Sequence, residues 1–279
     1  MKNNIQKIEN ELKDKETKLV ALLAPSFVST FEYPSIISQL KKLGFDKVTE
    51  LTFGAKMVNR EYHKQLEKSK KLLISSACPG IVETIKKKYP KYAKNIIKVY
   101  SPMIATSKIC KKIYPKHKVC FISPCEFKKI EAENSEFVDY VIDYEQLKEL
   151  FKKNNIKESK KILFFDKFYN DYTKIYPLSG GLSKTAHLKG ILKPGEEKIM
   201  DGIQEVMKFL DSPNKDVRFL DCTFCKGGCI GGPHTEKIPL EEKREKLMHY
   251  IDIAKEEKMP AGTEGLIEKA KGIKFRDQV

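Results

Sequence analysis

Three short apolar runs in this chain end at cysteines. Residues 72–75 run into Ser76-Ala77-Cys78-Pro79, and residues 119–122 run into Ser123-Pro124-Cys125. Residues 217–220 run into Asp221 and then Cys222-Thr223-Phe224-Cys225-Lys226-Gly227-Gly228-Cys229-Ile230-Gly231-Gly232-Pro233. Apolar runs of this length, bounded by turn residues, read as buried strands. In open α/β sheets, ligands bind beyond the carboxyl ends of the strands. The spacing therefore predicts a fold that brings three distant segments to one site.

The chemistry of that site follows from its side chains. Thiolates are soft ligands suited to iron–sulfur clusters or zinc. Gly227, Gly228, Gly231 and Gly232 let the backbone wrap closely round a bulky inorganic group and offer it N–H donors. Cys222 and Cys225 alone would form the C-x-x-C of a zinc ribbon or a redox disulfide. A structural zinc site normally shows a second such pair, and the chain has none. Cys110 and Cys120 sit in apolar contexts and read as core residues. Seven cysteines in a chain expected to be cytoplasmic suggest metal rather than disulfides.

Around these loops, apolar runs alternate with helix-like stretches. Residues 19–23, 47–51, 72–75, 119–122, 140–143 and 217–220 read as strands. Residues 35–43, 62–70, 80–88, 103–113 and 144–152 read as helices, the first stopped by Gly44. Ile5, Ile8 and Leu12 suggest a short amphipathic helix at the N-terminus. The last forty residues look helical and charged. Strand–helix alternation predicts an α/β fold with mostly parallel sheets and flanking helices. The 279 residues, 41% of them hydrophobic, suffice for one large domain or two lobes. We expect a single catalytic domain over 1–279: lobe one about 17–125, lobe two about 126–235, and a C-terminal helical segment 236–279. The bound group would lie between the lobes. The charged stretch 153–161 is a candidate boundary.

The net charge is +15, yet only four of the 53 basic residues are Arg. Sequence-specific DNA readers favour Arg, whose fork pairs with guanine. With Lys spread along the whole chain and no basic tail, nucleic-acid binding is not expected. The surface reads as a docking face for an acidic redox partner, or as compositional Lys bias. No run of eighteen apolar residues predicts a membrane span, and 1–17 lacks the apolar core of a signal peptide.

The three cysteine segments, in order, resemble the signatures of FeFe hydrogenases. Ser75-Ser76-Ala77-Cys78-Pro79-Gly80 is similar to T-S-C-C-P. Ser123-Pro124-Cys125-Glu126-Phe127-Lys128-Lys129-Ile130-Glu131 is similar to M-P-C-x-x-K-x-x-E. Phe224-Cys225-Lys226-Gly227-Gly228-Cys229-Ile230-Gly231-Gly232 is similar to M-A-C-x-x-G-C-x-x-G-G. Softer matches include Ala24-Pro25-Ser26, Phe53-Gly54-Ala55, Ser101-Pro102-Met103 and Ser179-Gly180-Gly181, so the resemblance covers roughly residues 18–235. It implies a 4Fe-4S cubane tied to a diiron unit carrying CO, cyanide and a bridging azadithiolate. Carried over, Cys78, Cys125, Cys225 and Cys229 hold the cubane, and Cys229 also bridges to the diiron unit. Lys128 donates to a cyanide, with Glu131 behind it. Pro25, Ser26, Met103, Ser123, Pro124 and Tyr176 line the diiron pocket. The resemblance further implies H2 and protons as substrates, an acidic ferredoxin-like electron carrier and hydrogenase maturation proteins as partners.

The departures fall along one pathway. The family's proton-carrying Cys is replaced by Ala77, which carries no proton. Two relay carboxylates fall on Tyr62 and Gln65, and a relay Ser falls on Ile97. Ala77, Ser123 and the Pro177-Leu178-Ser179-Gly180-Gly181 stretch look more like the sensory-type members, here in a minimal form without accessory ferredoxin domains. Three readings result: a slow hydrogenase, an H2 sensor acting through a partner protein, and a structural 4Fe-4S protein without the diiron unit. Retained Lys128, Pro25, Pro124 and four thiols favour the first. His234, just after the Gly-rich loop, reads as a loop cap more readily than as a proton group.

Overall fold

The computed structural model describes residues 2–166, 171–254 and 270–276. Its strands fall into two sheets. β1 (Lys18–Leu23), β2 (Lys47–Glu50), β4 (His117–Ile122) and β5 (Tyr140–Ile142) form a four-stranded sheet in the order β2-β1-β4-β5. β3 (Leu73–Ile74), β6 (Glu197–Asp201) and β7 (Phe219–Thr223) form a three-stranded sheet in the order β3-β7-β6. Every pairing is parallel, as the strand–helix alternation predicts.

Parallel strands need covered faces on both sides, so their side chains run apolar without a break. β1 shows this directly, with Leu19 to Leu23 all buried. Alternate residues serve opposite faces. Val20 and Leu22 join one core with α3 (Thr52–Lys68) and α5 (Pro102–Ile113). Leu19, Ala21 and Leu23 join a second core with α1 (Lys2–Lys13), α2 (Ser35–Leu43), α7 (Tyr144–Lys153) and α10 (Leu240–Ala254). A third core joins Ile74 and Leu220 of the small sheet to α4 (Pro79–Lys88) and α9 (Ile203–Asp211).

The two sheets interleave along the chain, which corrects the expected lobe boundary. β3 lies before residue 125 yet pairs with β7, and β5 lies after it yet pairs with β4. A crossover can return to any neighbouring slot in a parallel sheet, so a break in composition does not mark the change of sheet. Residues 153–161 are no boundary either. The segment they begin runs back over the four-stranded sheet, where Ser159 N–H donates to Ser35 Oγ at 2.9 Å. Farther along it, Asp166 accepts from Val48 N–H at 2.8 Å.

Several elements differ from expectation. α3 begins at Thr52, ten residues early. Gly54 sits inside it because a Cβ there would lie 1.9 Å from Thr106 Oγ1, so only Gly lets α3 and α5 approach this closely. α6 (Phe127–Glu133), α8 (Gly181–Thr185), β6 and α9 were not expected. The C-terminal segment contains α10, whose Tyr250 packs edge-on against Phe27 and Tyr33. Residues 255–269 of that segment lie outside the described residues.

Candidate active site

The carboxyl ends of β1, β3, β4 and β7 face one cavity of about 100 Å³. Leaving β3, the chain reaches Cys78, which caps α4 with Pro79 in the first helical turn. Proline fits there because its missing N–H is one the helix cannot use. Leaving β4, Ser123-Pro124-Cys125 turns into α6. Leaving β7, the Gly-rich loop carries Cys225 and Cys229. The segments touch directly. Phe224 N–H points at Cys78 Sγ at 3.4 Å, Phe127 and Phe224 pack with centroids 4.7 Å apart, and Cys229 N–H donates to Pro177 O at 2.7 Å.

Two glycines are required by this packing. Gly228 has φ +77°, and a Cβ on it would sit 2.4 Å from Pro177 O. Gly232 would place a Cβ 2.9 Å from Pro124 O, where the third segment lies on the second.

The four thiols sense one another. Burial first, and then the nearby Cys78, push Cys125 up to about 11. Burial, then Cys78 and Cys125, push Cys225 up to about 12. Cys229 is exposed only where it lines the cavity; its depth in the protein, then the three other thiols, hold it well above the ordinary thiol range. Lys128 works the other way on both Cys125 and Cys229. Four mutually repelling thiols are stable as thiolates only with a shared cation between them. Tetrahedral zinc would hold such sulfurs about 3.8 Å apart, from its ~2.3 Å Zn–S bonds. Among the described residues no three of these sulfurs lie within 4.8 Å of one another. Four thiols set apart in this way suit a cluster better than a single zinc ion.

The cavity wall holds most of the residues singled out from the sequence. Pro25, Ser26, Ala77, Cys78, Met103, Ser123, Pro124, Cys125, Lys128, Tyr176 and Cys229 all line it, while Cys225 lies outside its lining. Ser26 shares a 2.7 Å hydrogen bond with the buried Tyr144 hydroxyl. Lys128 Nζ donates to Glu131 at 2.5 Å. Ser123 Oγ and Tyr176 Oη are buried without a partner among the described residues. Buried polar atoms normally find partners, so both suit a polar ligand in the cavity. These features fit an iron–sulfur group with a smaller polar group beside it.

The residues at the altered relay positions are placed differently. Tyr62 is fully buried, accepts from Ser76 N–H at 2.7 Å and shares a 2.8 Å bond with Ser76 Oγ. Ile97 is buried in apolar core. His234 contacts Glu126 at 2.5 Å, and together with Asp143 these form a potential ligand triad. Lys129 already occupies that triad's cation position, 2.7 Å from Asp143 and 3.0 Å from Glu126. Cys222 lines the cavity too, and so does Asp221, a carboxylate that was not singled out. The available signal was one carboxylate inside the apolar run Phe219-Leu220-Asp221-Cys222.

Comparison with known proteins bears on the whole arrangement. The family model for the iron only hydrogenase large subunit, C-terminal domain, matches residues 17–233. Iron hydrogenase 1 of Clostridium pasteurianum is 23% identical over 327 residues, covering 90% of this chain and 57% of that protein. The chain thus spans little more than half the length of this curated relative. The FeFe-hydrogenase HydA(deltaEFG), whose structure revealed stepwise H-cluster assembly, superposes with a TM-score of 0.69 at 17% identity, covering 89% of this chain and 88% of that one. A variant of apo FeFe-hydrogenase HydA1 from Chlamydomonas reinhardtii gives 0.73 at 16% identity, covering 97% and 94%. At these identities the structural likenesses show the fold.

Proposed function

Because the chain belongs to the iron-only hydrogenase large-subunit family, we propose that it interconverts H2 with protons and electrons at a 4Fe-4S cubane joined to a diiron unit. The observation that carries this reading is the convergence of three segments at one cavity, whose wall holds Cys78, Cys125 and Cys229, with Cys225 close enough to act on Cys229. When bound, the metal group with its CO, cyanide and azadithiolate ligands supplies the redox chemistry and binds hydrogen. Cys78, Cys125, Cys225 and Cys229 hold the cubane. Lys128, steadied by Glu131, offers its ammonium to a cyanide, and the partnerless Ser123 and Tyr176 hydroxyls offer further donors. Pro25, Pro124 and Met103 give the cavity an apolar wall that excludes water. Electrons come from an acidic ferredoxin-like carrier, and maturation proteins supply the diiron unit. The reading places the protein in the cytoplasm. Among the described residues no helix is long and apolar enough to cross a membrane.

Ala77 favours a second reading, an H2 sensor acting through a partner protein, because the usual proton carrier is missing. Iron–sulfur reconstitution followed by loading with a synthetic diiron azadithiolate complex tests both. Infrared bands of bound CO and cyanide with H2 turnover support the enzyme. Bands with H2 binding but negligible turnover support the sensor. A cubane without bands leaves a structural iron–sulfur protein.

A further inference from the structure

We propose that Asp221 is the proton-exchanging residue of the cofactor cavity, in place of the acid missing at Ala77. The inference rests on the diiron reading above. Asp221 is the middle residue of β7, is 4% exposed, and lines the same cavity as Ala77, Cys78 and Cys229. Among the described residues it is the one carboxylate in that lining. Ser183 N–H donates to its Oδ2 at 3.0 Å, which fixes the carboxylate while leaving other lone pairs free. Burial is the main cause of its raised pKa, about 6, close to where a proton donor works best near neutral pH.

The groups facing Asp221 come from every neighbouring element. They are Ser183 of α8, Glu197 of β6, Tyr62 of α3, Tyr176 before α8, and Cys222 on its own strand. The cavity adds Cys78, Cys125, Cys229 and Lys128. Glu197 raises the Asp221 carboxyl further, and Ser183 lowers it.

α8 lies between Asp221 and an outer cleft, touching both. Ser183 faces Asp221. Two residues on, the Thr185 hydroxyl accepts from Asn59 Nδ2 at 2.8 Å. Asn59, Thr185 and His63 line an outer cleft of about 460 Å³. Tyr176 Oη in the cavity wall, Ser183 Oγ on α8 and Asn59 Oδ1 in the cleft lining are each buried without a partner among the described residues. Bridging water would satisfy all three and form a proton wire one short helix thick. In H2 formation the Asp221 O–H bond breaks and its proton passes to the amine of the bound azadithiolate. The electron pair stays on the carboxylate, which is reprotonated from the cleft. No electron passes through Asp221.

The test uses the cubane-reconstituted, diiron-loaded full chain and its Asp221→Asn, Asp221→Glu and Asp221→Asn/Ala77→Cys variants. Asn preserves the acceptor for Ser183 N–H. CO and cyanide bands in wild type should shift with an apparent pKa near 6. The shift should vanish in Asp221→Asn and return in Asp221→Glu. H2 evolution should fall roughly 10²- to 10⁴-fold in Asp221→Asn, and Ala77→Cys should recover much of it. A purely structural Asp221 would show no such rescue. In the cubane-only wild type, a protonated-carboxyl stretch should titrate near pH 6. Absence of that stretch refutes the proposal even if Asp221→Asn fails to fold. Unchanged pH-dependent bands and rate in a folded Asp221→Asn also overturn it. Loaded wild type without CO and cyanide bands overturns the diiron reading, and this inference with it.

Discussion

Three of the converging thiols, Cys125, Cys225 and Cys229, are poor anions alone. Cys125 at about 11 and Cys225 at about 12 stand above the ordinary thiol value near 8.5. The folded apoprotein therefore holds these protons more tightly than the unfolded chain. The stability linked to them is fully present below about pH 8.5 and is lost as pH rises through 11 to 12. Cluster ligation removes the same protons in advance. Urea midpoints of apo and reconstituted protein should thus diverge above pH 8.5, the apo form falling faster; parallel curves would count against a shared thiolate site. Reconstitution should give about four irons per chain with a 4Fe-4S spectrum. Cys78→Ser, Cys125→Ser and Cys225→Ser should each lose most of that iron by colorimetric assay, whereas Cys110→Ser should keep it. Stoichiometric zinc without a cluster would sink the reading. The thiols were legible in the sequence because loops after buried strands must meet at one sheet end. Asp221 was not, because one carboxylate in a strand does not reveal its burial, and burial is what makes it a useful acid.

Among elements, the 3₁₀ turn Asp171–Ile175 is held by a buried charge cluster. Lys174 Nζ donates to Glu50 at 2.6 Å and to the Tyr250 hydroxyl at 2.8 Å, and Tyr250 donates to Glu50 at 2.5 Å. Lys174 and Glu50 are 0% and 2% exposed. The cluster ties the end of β2 and α10 to the turn that delivers Tyr176 to the cavity. Breaking one side strands a buried charge, so Lys174→Met should cost about 3–5 kcal/mol. Glu50→Leu with Lys174→Met should cost much less than either alone. Urea unfolding of the three variants decides this, and additive losses would argue against a coupled pair. The strand and helix pattern of the four-stranded sheet was legible because its strands are buried on both faces. β6 was missed because it is an edge strand, only half-buried, reading Glu-Lys-Ile-Met-Asp. α9 was missed because only Val206 and Leu210 are buried on it.

For the whole molecule, the +15 charge predicts electrostatic steering. Reduction of the reconstituted protein by an acidic ferredoxin should slow steeply between low and physiological salt. A stopped-flow rate indifferent to salt would leave Lys bias as the better account. The α/β class was legible because crossovers impose alternation, but the partition into sheets was not, because pairing order leaves no trace in composition. That order also sets a timetable for making the protein. Leu73 pairs with Phe219, and Ile74 with Leu220. A nascent chain emerging from its N-terminus can complete the four-stranded sheet once Ile142 is out. The small sheet must wait for β7, and contacts so distant in sequence form slowly. Cys78 and Cys125 therefore emerge long before Cys225 and Cys229 exist. A cubane arriving before β7 and its loop have emerged would find half its ligands, so complete ligation waits for the third segment.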